Sequence, residues 1–134
     1  PTTMQIHQSA EDYLETILML NQRMGRVRSI DVVNELGYTK ASVSIAMKKL
    51  RENGYIAVDG EGNLTLLEPG REIAERIYSR HRLLTHFFVQ LGVEEDIAAE
   101  DACKAEHILS EQTLEKIREY ALLHDAESTL KKED

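Results

Sequence analysis

The chain has 134 residues, 42% hydrophobic and 30% charged, which suits one ordinary globular domain or two small ones sharing a core. A net charge of −8 and a pI of about 5.1 argue, taken whole, against a nucleic-acid binder. One cysteine excludes an internal disulfide and fits a reducing cytoplasm; no run of about 18 apolar residues is present to span a membrane, and "PTTMQIHQSAEDYLE" lacks the basic start and apolar block of a secretory signal.

The pattern is almost wholly helical. From Ser9 to about Arg23, Tyr13, Leu14, Ile17, Leu18 and Leu20 recur at helical spacing. Ser9 is the expected N-cap, Glu11 and Asp12 suit the first turn, and Gly25 ends the helix. Ser29 is expected to cap "IDVVNEL", which stops at Gly37, and Thr39 to cap "KASVSIAMKKLREN", which stops at Gly54. Two helices joined by "GYT" form a helix-turn-helix pattern, with Val32, Val33 and Leu36 packing on Val43, Ala46, Met47 and Leu50.

Tyr55 to Val58 alternates as a strand, "DGEGN" is a tight turn, and Leu64 to Leu67 returns as a second strand. A hairpin directly after a helix-turn-helix is a wing. Glu68-Pro69-Gly70 opens a long helix, since proline is tolerated in a first turn. Its apolar line runs Ile73, Ile77, Leu84, Phe88 and Leu91, with His81 in the remaining place, and Gly92 ends it. "VEEDIAAEDACKAEHILS" reads as one further helix and "SEQTLEKIREYALLH" as another, with Ser110 as N-cap and Thr113 at N3. The tail "DAESTLKKED" is expected to fray. The fold class is therefore mainly α: a winged helix-turn-helix over residues 1–70, then an all-helical domain over 71–134 that begins with a linking helix at about 70–91.

The charge distribution qualifies the net charge. Residues 21–53 hold seven bases (Arg23, Arg26, Arg28, Lys40, Lys48, Lys49, Arg51) against three acids, whereas residues 94–134 hold thirteen acids against five bases. A DNA-reading lobe joined to a different lobe has this asymmetry, although an unevenly charged helical surface has it too. The candidate DNA-contacting set is Arg28, Thr39, Lys40, Ala41, Ser42, Ser44, Lys48 and Lys49. The early exposed positions of the second helix are placed to reach phosphates or base edges, and the later lysines to meet the backbone or solvent.

Three places carry metal-ligand chemistry: Asp12 and Glu15 at i, i+3 on the first helix; His81; and Cys103, Glu106 and His107, at i, i+3, i+4 on one side of a helix. Singly, each has an ordinary explanation: a dipole-serving acid, a hydrogen-bonded core histidine, a small buried thiol. Together they offer three carboxylates, two imidazoles and a thiolate, the ligand chemistry of Mn, Fe, Co, Ni or Zn. Spacing alone does not bring the three places together. Nucleophilic catalysis is poorly supported, since Cys103 and His107 are too close in helical register to resemble a thiol–imidazole pair with a third orienting group, and no Gly-rich phosphate loop or paired CxxC occurs.

These residues resemble the diphtheria toxin repressor family of metal-dependent bacterial transcription regulators, which includes the manganese transport regulators. The resemblance covers about residues 8 to 123, through "SAEDYLETI", "RHRLLTHFF" and, most specifically, "DACKAEHILS". It implies a cytoplasmic homodimer that binds double-stranded DNA at a palindromic operator and represses metal-homeostasis genes. It also implies that Asp12, Glu15, His81, Cys103, Glu106 and His107 hold a divalent metal, with Mn²⁺ or Fe²⁺ first and Co²⁺, Ni²⁺ or Zn²⁺ as softer options. The set is mixed: Cys103 matches the iron type, where the manganese type has glutamate, and Asp12 matches the manganese type, where the iron type has methionine. Thr85 and Ala99 stand where the iron type has glutamate and histidine in its ancillary site. A metal bridging the two lobes would fix their relative angle and thereby control DNA affinity. No enzymatic activity is expected. Two readings compete: a small di-metal hydrolase on the same ligands, and a winged-helix regulator answering a non-metal signal.

Overall fold

The computed structural model describes residues 8–133, with side chains described as far as Ala126. They divide into two compact units, one ending at Arg76 and the other beginning at Ile77.

The first unit opens with α1 (Gln8–Met24), whose Leu14, Ile17 and Leu18 are buried at helical spacing. It packs on the helix pair α2 (Ser29–Leu36) and α3 (Lys40–Glu52) and on the second strand. Arg28, not Ser29, is the N-cap of α2. Its amide donates to Asp31 Oδ2 at 2.9 Å, so the acid at N3 closes the helix start without a hydroxyl at the cap. Between α2 and α3 the chain turns at Gly37, whose φ of 72° is left-handed and whose amide returns to the Val33 carbonyl at 2.8 Å. Thr39 caps α3 as expected, its Oγ1 accepting from the Ser42 amide at 3.1 Å, a contact worth about 1 kcal/mol. Val32, Val43, Met47 and Leu50 are buried between the two helices.

The wing pairs β1 (Ile56–Val58) with β2 (Leu64–Leu66) antiparallel, Ile56 opposite Leu66 and Val58 opposite Leu64. Leu64 and Leu66 are buried and Thr65 is exposed, the alternation of a strand with one wet face. Asp59 organises the turn by accepting from the Glu61 and Asn63 amides and from the Asn63 side chain, each at 2.9 Å. These bonds, the Asn63 side chain's first among them, hold its carboxyl below the ordinary value. A short third edge joins the wing: the Leu64 amide donates to the Val27 carbonyl at 2.7 Å, and Arg28 bridges to Asn63. Two residues are too few to leave a period in the sequence, so this edge was not foreseen. Gly70, in the first turn of α4 (Glu68–Gln90), lies so close to Tyr55 that a Cβ there would collide with the Tyr55 carbonyl.

The second unit contains the rest of α4, α5 (Glu95–Ala105) and α6 (Glu111–Glu133). Its core is Leu84, Ala102 and Leu114, flanked by Leu83, Phe88, Ala105, Leu109 and Ile117. Three expectations need correction. First, α5 stops at Ala105 instead of running on to residue 110. The Ile108 and Leu109 amides both turn back to the Ala105 carbonyl, at 3.1 and 3.3 Å, which frees Ser110 to cap α6 through the Thr113 amide at 3.2 Å. Second, α6 is drawn out past His124, helical through Glu133, with no Gly or Pro after Ala126 to stop it. Third, Leu91 lies beyond the end of α4 and is exposed. Among the described residues no helix is long and apolar enough to cross a membrane.

Candidate metal centre and nucleic-acid interface

The turn after α5 brings its ligand candidates to α4. Glu106 is the C-cap of α5 and has no solvent exposure. Its Oε2 lies 3.0 Å from His81 Nδ1 of α4, and its Oε1 lies 3.4 Å from Nε2 of His107. Cys103, one turn earlier on α5, is exposed. Ligand atoms of His81, Cys103 and Glu106 all lie within 4.8 Å of one another. One imidazole nitrogen, one sulfur and one carboxylate oxygen at that spacing fit a transition-metal ion. A fully buried carboxylate also needs compensating positive charge, which a divalent cation beside two imidazoles supplies directly. Four sequence candidates thus come together in one unit. Cys103 does so from α5, Glu106 and His107 from the turn rather than from the single helix expected.

Arg80 was missed by the sequence reading. Its side chain is 14% exposed; Nη1 donates to the Glu106 carbonyl at 3.1 Å, and Nη2 pairs with Glu111 at the start of α6. One guanidinium therefore ties α4 to both ends of the turn that carries Glu106 and His107. Its signal in the sequence was its place at the head of "RHRLLTHFF", beside His81. Thr85 donates its hydroxyl to the His81 carbonyl at 2.8 Å, bracing the same stretch of α4.

On α1 of the first unit, Asp12 is half-buried and Glu15 is 5% exposed. Glu15 lies beyond the first turn and is buried, so service to the helix dipole does not account for it. Glu11 beside them pairs with Arg76 at 3.4 Å. Burial pushes the Tyr13 phenol up, with Tyr38 and Asp12 adding to the shift. Tyr13 and Tyr38 meet edge to face at 5.9 Å, which ties α1 to the turn before α3.

The candidate DNA-contacting residues Arg28, Thr39, Lys40, Ala41, Ser42, Ser44, Lys48 and Lys49 are all exposed, and all but Arg28 and the capping Thr39 lie on α3. Thr39 also donates to Ser42 Oγ at 2.9 Å, so the two hydroxyls at the helix start engage each other. The Arg28 guanidinium packs over Gly62 in the wing turn. Arg26, beside it, lies 3.8 Å from Glu61.

Comparison with known proteins finds a match for each half of the chain. The family described as "Iron dependent repressor, N-terminal DNA binding domain" matches residues 5–64, and "Iron dependent repressor, metal binding and dimerisation domain" matches residues 67–123. An HTH-type transcriptional regulator of Methanocaldococcus jannaschii is 35% identical over 113 residues, covering 83% of this chain and 90% of that one. The HTH-type transcriptional regulator MntR of Bacillus velezensis is 31% identical over 125 residues, covering 93% and 88%. A solved manganese-dependent transcriptional repressor in complex with manganese superposes with a TM-score of 0.77 at 29% identity; it covers 84% of this chain, which spans only 52% of that longer one. With both halves matched in order, the chain belongs to the iron-dependent, or diphtheria toxin, repressor family of metal-dependent DNA-binding transcription regulators, and within it to the manganese transport regulator type.

Proposed function

We propose that the protein is a cytoplasmic homodimeric repressor that binds a palindromic operator when a divalent metal, Mn²⁺ or Fe²⁺, occupies the site at His81, Cys103, Glu106 and His107. The observation that carries this reading is the convergence of His81, Cys103 and Glu106 within 4.8 Å, around a fully buried carboxylate. The family resemblance adds Asp12 and Glu15 of α1 to the ligand set. Residues 1–70 serve as the DNA-reading domain and 71–134 as the metal-binding and dimerising domain.

Dimerisation is supported by Ile97, Ile108, Leu122 and Leu123 of the second unit, which stay exposed, whereas Leu114 is buried in the unit's own core. A two-fold contact through such a surface matches a palindrome with half-sites a whole number of helical turns apart. Contact with phosphates falls to Arg28, Lys40, Lys48 and Lys49, whose counterion release makes binding fall steeply with salt. In the metal-bound state the ion favours the DNA-competent arrangement; a 100-fold gain in affinity needs a bias of only about 2.7 kcal/mol. Fluorescence anisotropy of a selected palindromic duplex tests this, using chelated protein before and after addition of Mn²⁺ or Fe²⁺. Tight binding only with metal is expected. Equal affinity in both states would reject metal control, and would favour a winged-helix regulator that answers another signal.

A further inference from the structure

Helix α3 buries Val43, Met47 and Leu50. Ile45 is two residues from Val43 and two from Met47, so at about 100° per residue it points nearly opposite the buried stripe. It is 58% exposed. The outermost line of the helix runs Ala41, Ile45, Lys48 and Glu52, so its first two members offer no hydrogen-bonding group. Of the polar side chains in the first half of the helix, Thr39 and Ser42 are engaged with each other and with the Ser42 amide, while Lys40 and Ser44 are exposed but lie off this outermost line. Farther along, the exposed positions are charged: Lys48, Lys49, Arg51 and Glu52. The apolar crest is therefore confined to the first half of α3, the half that a helix-turn-helix pushes deepest into the major groove. The one apolar group that base edges present there is the C5-methyl of thymine.

We infer that Ile45, with Ala41 one turn before it, reads a thymine methyl in each operator half-site. The inference rests on the proposed placement of α3 in the major groove and goes beyond it by naming the base and the group recognised. Ile45 supplies discrimination by burial rather than by a hydrogen bond, and the lysines that follow supply affinity without sequence preference.

The test removes the methyl from the DNA and leaves the protein fold untouched. The full-length protein with Mn²⁺ present selects a duplex from a randomised pool. Each thymine of the selected half-site is then replaced by deoxyuridine, one symmetric pair at a time. At one such pair the parent should lose about fourfold per half-site, roughly 15-fold for both, the worth of one buried methyl-sized group at each. Ile45→Ala should lose affinity for the thymine duplex by a similar factor and bind thymine and deoxyuridine duplexes alike at that pair. Selected half-sites without thymine, a parent indifferent to every replacement, or an Ile45→Ala variant as sensitive to deoxyuridine as the parent would each overturn the inference and leave the DNA-binding reading intact. Failure of the metal-loaded protein to enrich any duplex would overturn that reading, and this inference with it.

Discussion

His81 Nδ1 stands 3.0 Å from Glu106 Oε2, joining two residues 25 apart in sequence and linking α4 to the turn after α5. The buried carboxylate thus faces an imidazole on one side and, through its other oxygen, the His107 ring on the other. A cation entering this cluster meets oxygen and nitrogen donors already held in place, and the sulfur of Cys103 within reach.

That sulfur should set the preference among metals. Thiolate is soft and favours Fe, Co, Ni or Zn, whereas carboxylates suit Mn²⁺. Cys103→Glu should weaken Zn²⁺ and Co²⁺ binding relative to Mn²⁺ while keeping the fold. The Co²⁺-loaded parent should show a sulfur-to-cobalt charge-transfer band that the variant lacks. A parent without the band, or identical metal rankings for the two proteins, would make Cys103 a bystander.

Arg80 should act on the metal through Glu106. With its guanidinium on the Glu106 carbonyl and on Glu111, Arg80→Gln releases the turn that presents two candidate ligands. Loss of a supporting contact of this kind typically weakens metal binding about 10-fold or more, and Arg80→Lys should fall between variant and parent. Mn²⁺ titration measures the effect, and the unfolding temperature of the chelated proteins separates it from a general loss of stability. Unchanged Mn²⁺ affinity in Arg80→Gln would remove the positioning role.

The cap at α3 gives a stability prediction. Thr39→Ala deletes the acceptor for the Ser42 amide, and should cost about 1 kcal/mol in urea unfolding of the metal-free protein. A midpoint equal to the parent's would show that water or another group replaces the hydroxyl at no cost.

The wing turn should respond to acid. Asp59 has its carboxyl held below the ordinary value, chiefly by the Asn63 side chain. A depressed folded-state value means that the stabilisation is fully present above the ordinary carboxyl value, about 3.9. It fades as pH falls through the lower folded-state value. A carbon-detected NMR titration should find Asp59 titrating below its ordinary value in the parent and nearer to it in Asn63→Ala. Identical curves would show that the Asn63 side chain does not hold the carboxylate.

The helices and the wing were legible because each leaves a period or a terminus signal: Val43, Met47 and Leu50 on α3, Gly37 in the turn, Thr39 and Ser110 as caps. The break in α5 was not, because Glu106, His107 and Ile108 carry no helix-breaking residue; the stop comes from Ser110 leaving the helix to cap the next one. The ligand candidates of the second unit could be named from residue type and family resemblance, but their convergence depends on how α4 packs on the turn after α5. Arg80 escaped notice for the same reason: an arginine on a helix is usually solvated, and only tertiary packing turns this one onto a carbonyl. Arg28 at the start of α2 misled in the opposite way, since Ser29 beside it is the better cap by type, yet Asp31 closes the turn from the far side.

The central claim is that metal and DNA bind the same state. Coupling between two sites is reciprocal, so operator DNA must tighten metal binding by the factor by which metal tightens DNA binding. Isothermal titration of Mn²⁺ into the protein, alone and saturated with the selected palindromic duplex, measures this directly. A metal affinity higher with DNA by the same factor found in the anisotropy experiment, on the order of 100-fold, is the predicted result. A metal affinity unchanged by DNA would contradict the account.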